Sequence, residues 1–157
     1  MEFGPRALGN RSILSDPRSA ENRDRVNDAV KFRENWRPFA PSVMAEKAHL
    51  YFSDFKPSPY MILSFWADKS RASQIPAVVH VDGSCRVQSV TRESNARYYD
   101  LLGEFEKLTG VPVVMNTSFN LKGDPIVCSP RDAVQTFYTS GLDDLVIGDF
   151  VLSKSVP

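Results

Sequence analysis

The sequence predicts a single α/β domain built on a mixed, twisted open sheet. Segments of helical periodicity alternate with short apolar segments late in the chain, and short β-rich segments separated by turn signals occupy the middle. A length of 157 residues fits one domain. A hydrophobic content of 42% predicts a sizeable core and argues against disorder.

The charges are balanced overall but sorted along the chain. Nineteen basic residues match nineteen acidic ones, which argues against a general nucleic-acid or membrane-surface binder because such proteins need a basic excess. Seven arginines lie between Met1 and Arg37, and three aspartates lie between Asp143 and Asp149. The basic opening third is therefore the place to look for an anion site.

The cysteines and the hydropathy pattern favour a cytoplasmic protein. Cys85 and Cys128 are too far apart in sequence to indicate a disulfide framework or a metal cluster, so we interpret them as reduced thiols. The amino terminus has no apolar segment of the kind found in signal peptides, and no apolar run is long enough to cross a bilayer. We expect neither a membrane nor a nucleic acid among the partners.

The first half of the chain predicts one helix and one strand. Gly4, Pro5 and Gly9 indicate an ordered loop over Met1–Ser15. Asp16 followed by Pro17 predicts a helix start, with the helix running through Val26 to about Val30. Two prolines predict a loop or short extended piece over Arg33–Ser42. The apolar run Pro59–Trp66 predicts a buried strand.

The middle of the chain predicts a hairpin. Lys69–Gln74 is polar and is expected to be a loop. Ala77–Val81 and Arg86–Val90 are β-rich, and Asp82-Gly83 between them is a strong hairpin signal.

The last third predicts two helices and three strands. Apolar residues at helical spacing predict a helix over Ala96–Leu108, which Gly110 closes. Ser129, Pro130 and Asp132 form a capping-box pattern for a second helix that Gly141 ends. The predicted strands are Val111–Met115, Leu145–Ile147 and Phe150–Leu152.

The first candidate site is the segment EFGPRALGNRS, Glu2–Ser12. Its glycines and proline shape a tight loop from which Arg6 and Arg11 project, and the guanidinium group suits phosphate or carboxylate oxygens. An ordinary surface loop with solvated charges is the alternative.

The second candidate is KFRENWRPFAPS, Lys31–Ser42. Lys31, Arg33 and Arg37 are interleaved with aromatic residues, which suggests a partly dehydrated anion site where each charge counts for more than in water. A helix end with basic residues complementing its dipole explains the pattern equally well.

The third candidate is VVMNTSFNLKGDP, Val113–Pro125. A predicted strand ends just before Asn116, Ser118 and Asn120, and ligands of open α/β sheets gather at the carboxyl ends of strands. Their neutral side chains can bind a phosphate or a base edge without adding charge. The alternative is an Asn/Ser-rich turn that satisfies its own backbone.

Arg86 is a further candidate because it opens a β-rich segment just beyond the Asp82-Gly83 turn, although a lone arginine is usually solvated. His49 and His80 lack metal-ligand spacing and are interpreted as structural. The sequence contains no Walker-type phosphate loop, no dinucleotide fingerprint and no nucleophile elbow.

Four segments together resemble the carboxy-terminal domain of the carbamoyltransferase family, whose members carbamoylate nodulation factors, cephamycins and aminoglycosides. In order, the segments are MEFGPRALGNRSIL, VKFRENWRPFAPSV, HVDGSCRVQSV and TGVPVVMNTSFNLKGDPIV. The resemblance covers residues 1–157 and implies a YrdC-like fold. It also implies formation of carbamoyl-adenylate from carbamoyl phosphate and ATP, with magnesium carried by the ATP.

The resemblance further implies roles for single residues. The positions that match the family's ligand-binding residues, with Arg33 and Asn120 added from the same motifs, are Arg6, Lys31, Arg33, Arg37, Arg86, Asn116, Ser118 and Asn120. Lys31, Arg37 and Arg86 are expected to be catalytic, because fixed cations cancel the repulsion between two polyanions and stabilise charge in the transition state as a carbamoyl oxygen attacks the α-phosphorus. No metal ligand is expected in this chain.

The family's larger, Kae1-like amino-terminal domain is expected to be absent, since Met1 falls where the first motif is already under way. The resemblance assigns to that domain the iron and the final transfer to a hydroxyl acceptor, and it would be this chain's protein partner. A non-catalytic nucleotide- or RNA-binding YrdC-like module is the alternative function. Pyrophosphate release from ATP with carbamoyl phosphate distinguishes the two.

Overall fold

A computed structural model describes residues 7–32, 34 and 36–154. Within them the chain forms eight strands, which are β1 Ser12–Ser15, β2 Ala40–Met44, β3 Phe65–Trp66, β4 Ser84–Cys85, β5 Gln88–Val90, β6 Val113–Ser118, β7 Asp144–Ile147 and β8 Phe150–Ser153. The helices are α1 Ala20–Val26, α2 Ala96–Thr109 and α3 Pro130–Tyr138, together with a π-helical turn over Asn27–Lys31 and 3-10 turns over Ala45–Leu50, Ala72–Gln74 and Pro76–Val78.

The main sheet has four strands in the order β1-β6-β2-β5. β6 runs antiparallel to both β1 and β2, whereas β5 runs parallel to β2. The prediction of a mixed, open α/β sheet is therefore confirmed. Two further two-stranded sheets pair β3 with β4 and β7 with β8.

The main sheet is buried on both faces. Along β6, the side chains of Val113 and Met115 join one apolar cluster while Val114 joins another, because successive residues of a strand point to opposite faces. The second cluster includes Tyr98 and Leu102 of α2. A third apolar cluster lies under α3 and the β7–β8 hairpin.

Both helices of the last third form as predicted. The Asn95 side chain accepts from the Tyr98 backbone N–H at the start of α2, and Gly110 ends that helix with φ 75°. At the start of α3, Ser129 and Asp132 form a complete capping box. The two predicted final strands pair as the β7–β8 hairpin.

The first helix differs from the prediction at both ends. Its cap is Ser19, whose side chain accepts from the Glu21 backbone N–H. Asp16 instead accepts hydrogen bonds from Arg18. Beyond Val26 the chain widens into the π-helical turn, which Phe32 ends with a left-handed φ of 45°.

The predicted hairpin over Ala77–Val81 and Arg86–Val90 is wrong. The turn exists, since the Gly83 N–H bonds the His80 carbonyl. However, β4 pairs with β3, and β5 pairs in parallel with β2. A local turn signal cannot reveal pairing with strands more than forty residues away in sequence, as the Ser42–Gln88 pairing shows.

Three strand assignments also need correction. Pro59–Trp66 is not a buried strand, because only its last two residues pair and Ile62 is 75% exposed. Ser12–Ser15 lies in the segment predicted as a loop but forms β1. The segment predicted as a loop or short extended piece ends in β2, which continues to Met44. Pro41 lies within this strand but precedes Ser42, the first residue paired with β5, so its missing N–H removes no hydrogen bond to β5.

None of the helices in the described part of the chain has the length and apolar character needed to span a membrane.

Candidate functional site

Parts of all four sequence segments singled out above meet at one end of the main sheet, which we term the Ser118 end. It is defined by the carboxyl end of β6 and the amino ends of β1, β2 and β5. The register places Ser12 opposite Ser118 and Ala40 opposite Asn116. It also places Gln88 beside Ser42, one strand further along. Residues that precede β2 and β5 therefore lie at the same end of the sheet as residues that follow β6.

Lys31 is the most constrained of the candidate residues. Its side chain is buried, with the residue only 6% exposed. The ammonium group donates to the main-chain carbonyl oxygens of Ser118 at 2.5 Å and Asn120 at 3.0 Å. It also reaches Ser118 Oγ at 3.2 Å and Asn120 Oδ1 at 2.9 Å. The structure thus brings three of the predicted ligand-binding residues into direct contact.

The turn that receives Lys31 is shaped by its own side chains. Ser118 Oγ donates to Asn120 Oδ1 at 2.6 Å, and the Asn120 N–H bonds the Ser118 carbonyl. Asn120 Nδ2 donates to the Asp124 carbonyl at 2.9 Å, just beyond Gly123, which turns the chain with φ 86°. The sequence leaves two alternatives open for this segment, a polar binding site or a turn that satisfies its own backbone. The same residues, Ser118 and Asn120, form the turn and belong to the candidate site.

Asn116 lies behind this turn in a buried polar network. The residue is 1% exposed, and its amide nitrogen donates to Ser42 Oγ at 3.0 Å, Gln88 Oε1 at 2.9 Å and the Tyr98 hydroxyl at 3.1 Å. Burial raises the pKa of Tyr98, so its hydroxyl stays protonated. Ser42 Oγ donates in turn to Gln88 Oε1 at 2.8 Å.

The carbonyl oxygen of Asn116 has no hydrogen-bond partner among the described residues. Buried acceptors are rarely left unsatisfied, because the desolvation penalty is about 1–3 kcal/mol. The two amide N–H donors are shared among these three protein groups, and the oxygen is the polar atom of this side chain that the described residues leave without a partner.

The candidate cations differ in their surroundings. Arg37 is half-exposed, its Nε pairs with Glu34 Oε2 at 3.0 Å, and its guanidinium lies 5.5 Å from the Trp36 ring centroid. Arg86 is exposed and lies in the connection from β4 to β5. Continuing the parallel register by two residues places it level with Ala40, at the Ser118 end. Arg6 and Arg33 lie outside the described residues.

A cavity of about 710 Å³ adjoins the β1–β6 side of the Ser118 end, where Ser12 and Phe119 line it, and extends between the amino ends of α2 and α3 and the β7–β8 hairpin. Arg11 and Arg97 contribute its charged lining together with Asp144. None of the predicted ligand-binding residues that the structure describes lines it. The candidate site is therefore the open Ser118 end of the sheet, with Arg11 of the first segment turned toward the cavity.

The thiols and histidines do not assemble into a site. Burial, and secondarily the Asp82 carboxylate, raise the pKa of the Cys85 thiol to about 12, and Cys128 is exposed. Across residues 7–32, 34 and 36–154, no group of three or more His, Cys, Asp or Glu side chains could hold a metal ion. His80 bonds Asp82 and the Trp36 carbonyl instead.

Sequence reasoning missed the support for Asn116. Ser42, Gln88 and Tyr98 hold its amide, yet Gln88 and Tyr98 sit within segments whose pattern indicates only a strand or a helix, and Ser42 was included only as the end of the second candidate segment. The one available signal was Gln88, a polar residue in the β-rich segment Arg86–Val90.

Comparisons with known proteins agree on one family. The family model described as "Carbamoyltransferase C-terminus" matches residues 1–154. Nodulation protein NolO of Bradyrhizobium diazoefficiens is 47% identical over 98% of this chain and 28% of its own length. Nodulation protein NolNO of Sinorhizobium fredii is 49% identical over 98% of this chain and 23% of its length. Nodulation protein U of Rhizobium tropici is 48% identical over 78% of this chain and 21% of its length. The chain thus spans only 21–28% of these relatives.

Proposed function

This chain belongs to the carbamoyltransferase carboxy-terminus family, and from that premise we propose that it binds ATP and carbamoyl phosphate and forms carbamoyl-adenylate. The acceptor reaction then belongs to the remainder of the longer protein, a Kae1-like amino-terminal domain that would be this chain's partner. A YrdC-like relationship of the fold is part of the same proposal.

The proposed half-reaction consumes one water molecule. Transfer of the phosphoryl group of carbamoyl phosphate to water releases phosphate and leaves a carbamate oxygen. That oxygen forms a bond to the α-phosphorus of ATP, and the bond to the β-phosphate oxygen breaks, releasing pyrophosphate. The products are carbamoyl-adenylate, phosphate and pyrophosphate. No side-chain nucleophile is needed, so the protein's contribution is positioning and electrostatic stabilisation.

The observation that carries the proposal is the contact of Lys31 with Ser118 and Asn120 at the Ser118 end. These acceptor oxygens carry no formal charge, and together they hold the ammonium group at the carboxyl end of β6. A buried cation in a site of low dielectric attracts phosphate oxygens more strongly than a solvated one. Asn116, with its carbonyl oxygen unpartnered among the described residues, adds an acceptor for a carbamoyl N–H.

The exposed cations complete the proposed clamp. Arg37 precedes the start of β2 by three residues and Arg86 precedes the start of β5 by two, and we propose that both side chains turn toward the Ser118 end. Guanidinium groups bind phosphate oxygens through two parallel hydrogen bonds. We include Arg6 and Arg33 in the clamp on the strength of the family motifs alone.

The metal requirement follows from the available donors. The described residues offer no carboxylate or histidine cluster, so magnesium would enter with the phosphates of ATP as part of the substrate. The donor set does not fit iron, and we assign that metal to the amino-terminal domain of the family.

The test is identification of the product. The chain is incubated with magnesium, carbamoyl phosphate and ATP labelled at the α-phosphorus, and the nucleotides are separated by chromatography. We expect a labelled species distinct from AMP that forms only with carbamoyl phosphate and breaks down to AMP. Binding of ATP with no such species would overturn the proposal in favour of a nucleotide-binding module.

A further inference from the structure

We propose that Trp36 is the platform on which the purine base of the bound nucleotide stacks. The inference rests on the proposed function, because it assigns the base-binding part of the same site. The cationic residues of the site can bind the phosphates of ATP but cannot recognise its base, and Trp36 would bind the base.

The first observation is the exposure of Trp36. Trp36 lies in the segment that carries Lys31 and Arg37, and 64% of the residue is exposed to solvent. Trp66 is exposed to a similar extent, at 59%, so it is the place of Trp36 in this segment that singles it out. Every nucleobase has a π face, and stacking on an aromatic side chain buries both surfaces at once.

The second observation is that the backbone at Trp36 is anchored. The His80 ring bonds the Trp36 carbonyl oxygen through Nε2 at 3.1 Å and the Asp82 carboxylate through Nδ1 at 3.0 Å. The Ser84 N–H also donates to Asp82 at 2.8 Å. Hydrogen bonds from Ser84 and His80 lower the pKa of Asp82 to about 2, so the carboxylate is ionised at neutral pH. The turn over residues 80–84 therefore fixes where the tryptophan is presented.

The third observation is the position of Trp36 relative to the phosphate-binding residues. It lies four residues before Ala40, which is opposite Asn116 in the sheet. Four residues span at most about 14 Å, so the indole stays within a short reach of the Ser118 end. Arg37 directly follows it, with the guanidinium 5.5 Å from the indole centroid. The guanidinium lies over one face of the indole, so the base would stack on the opposite face.

Phe32 is a second exposed aromatic residue in this segment, at 53%. Trp36 is the better platform because indole presents the larger ring face and its carbonyl is held by His80. Phe32 lies at the left-handed end of the π-helical turn with φ 45°. A loss of base binding in Phe32→Ala with none in Trp36→Ala would overturn the assignment.

Fluorescence tests the proposal directly, because the chain has two tryptophans. Trp66→Phe leaves Trp36 as the sole emitter in the full chain. We expect ATP with magnesium to quench this emission saturably and inorganic tripolyphosphate to leave it unchanged. Absence of quenching at ATP concentrations shown by calorimetry to saturate the protein would contradict the proposal.

Affinity supplies the second readout. Trp36→Ala should weaken ATP binding roughly tenfold while binding of tripolyphosphate is unchanged, since only ATP has a base that stacks on the indole. Phe150→Ala is the matched control, as Phe150 is similarly exposed at 74% on the β7–β8 hairpin. It should bind ATP like the parent.

Two different results would separate the stacking role of Trp36 from the binding of ATP by the chain. ATP-dependent formation of carbamoyl-adenylate with parental ATP affinity in Trp36→Ala would overturn the stacking role alone. Absence of any ATP binding to the parent chain would overturn both.

Discussion

The ammonium group of Lys31 donates a 2.5 Å hydrogen bond to the main-chain carbonyl oxygen of Ser118, eighty-seven residues later in the chain. The contact ties the π-helical turn after α1 to the carboxyl end of β6. Because it joins two of the motifs that predict ligand binding, the residue proposed to attract phosphate also maintains the shape of the site. Lys31 is therefore expected to affect stability and binding together.

Replacing Lys31 by Met should destabilise the fold by about 1–3 kcal/mol, because it preserves the apolar stem and leaves acceptors at Ser118 and Asn120 without their donor. Urea unfolding followed by circular dichroism measures the change. Lys107→Met is the matched control, since its ammonium group pairs with Glu104 on the surface and its loss should change stability far less than the loss of Lys31. Equal effects of the two substitutions would contradict the structural role of Lys31.

Replacing Arg37 by Ala should weaken ATP binding without unfolding the domain. Its ion pair with Glu34 is half-exposed and contributes little to stability. A lost charge-assisted contact to phosphate corresponds to about 1.5–3 kcal/mol, or roughly tenfold or more in affinity. Calorimetric titration with ATP measures it. Arg92→Ala, which removes a surface pair with Asp100 beyond the opposite end of β5, should bind like the parent; a comparable loss there would indicate a non-specific charge effect.

Two glycines with the same backbone angle should differ in their tolerance of a methyl group. Gly9 and Gly123 both have φ 86°, but a Cβ at Gly9 would lie 2.7 Å from the Tyr98 ring, whereas at Gly123 nothing lies within 4 Å. Gly123→Ala should cost about 1–2 kcal/mol from backbone strain alone. Gly9→Ala should cost at least about 1 kcal/mol more, because overpacking must displace a ring that supports Asn116. Thermal and urea unfolding measure the loss of unfolding free energy in each variant. Equal losses in Gly9→Ala and Gly123→Ala would show that the loop before β1 can move to accommodate the added methyl group.

The two thiols should react very differently with an alkylating agent at pH 8. Cys85 is buried and its pKa is raised to about 12, so it remains a protonated, inaccessible thiol, whereas Cys128 is exposed. Intact-mass analysis after iodoacetamide treatment should show one adduct on the native chain and two in denaturant. Rapid double labelling of the native chain would contradict the burial of Cys85.

Local signals predicted the parts of the fold that local chemistry determines. The capping box at Ser129 and Asp132, the helix over Ala96–Leu108 and its closing Gly110 form as predicted, because each depends on residues a few positions apart. The strand β1 was predicted as a loop, and β2 only as a loop or short extended piece ending at Ser42, because their pairing with β6 is decided by distant residues. Pro41 adds a misleading signal within β2, and Asp82-Gly83 a misleading one before β5.

The candidate site was predicted in outline and not in its arrangement. Motif spacing identified Lys31, Ser118 and Asn120, which the fold brings into contact. It did not predict that Lys31 would be buried and bonded to the other two, nor that Ser42, Gln88 and Tyr98 would hold the Asn116 amide. Those relationships depend on the strand register, which is absent from any single segment.

Pyrophosphate release measures directly whether the chain forms carbamoyl-adenylate from ATP and carbamoyl phosphate. The purified chain is supplied with magnesium and ATP, with carbamoyl phosphate present or omitted, and pyrophosphate is measured over time beside Lys31→Met and Arg37→Ala. We expect pyrophosphate release that requires carbamoyl phosphate and is strongly reduced in both variants. Arg92→Ala should release pyrophosphate like the parent. Saturable ATP binding with no pyrophosphate release in the presence of carbamoyl phosphate would contradict the proposed reaction.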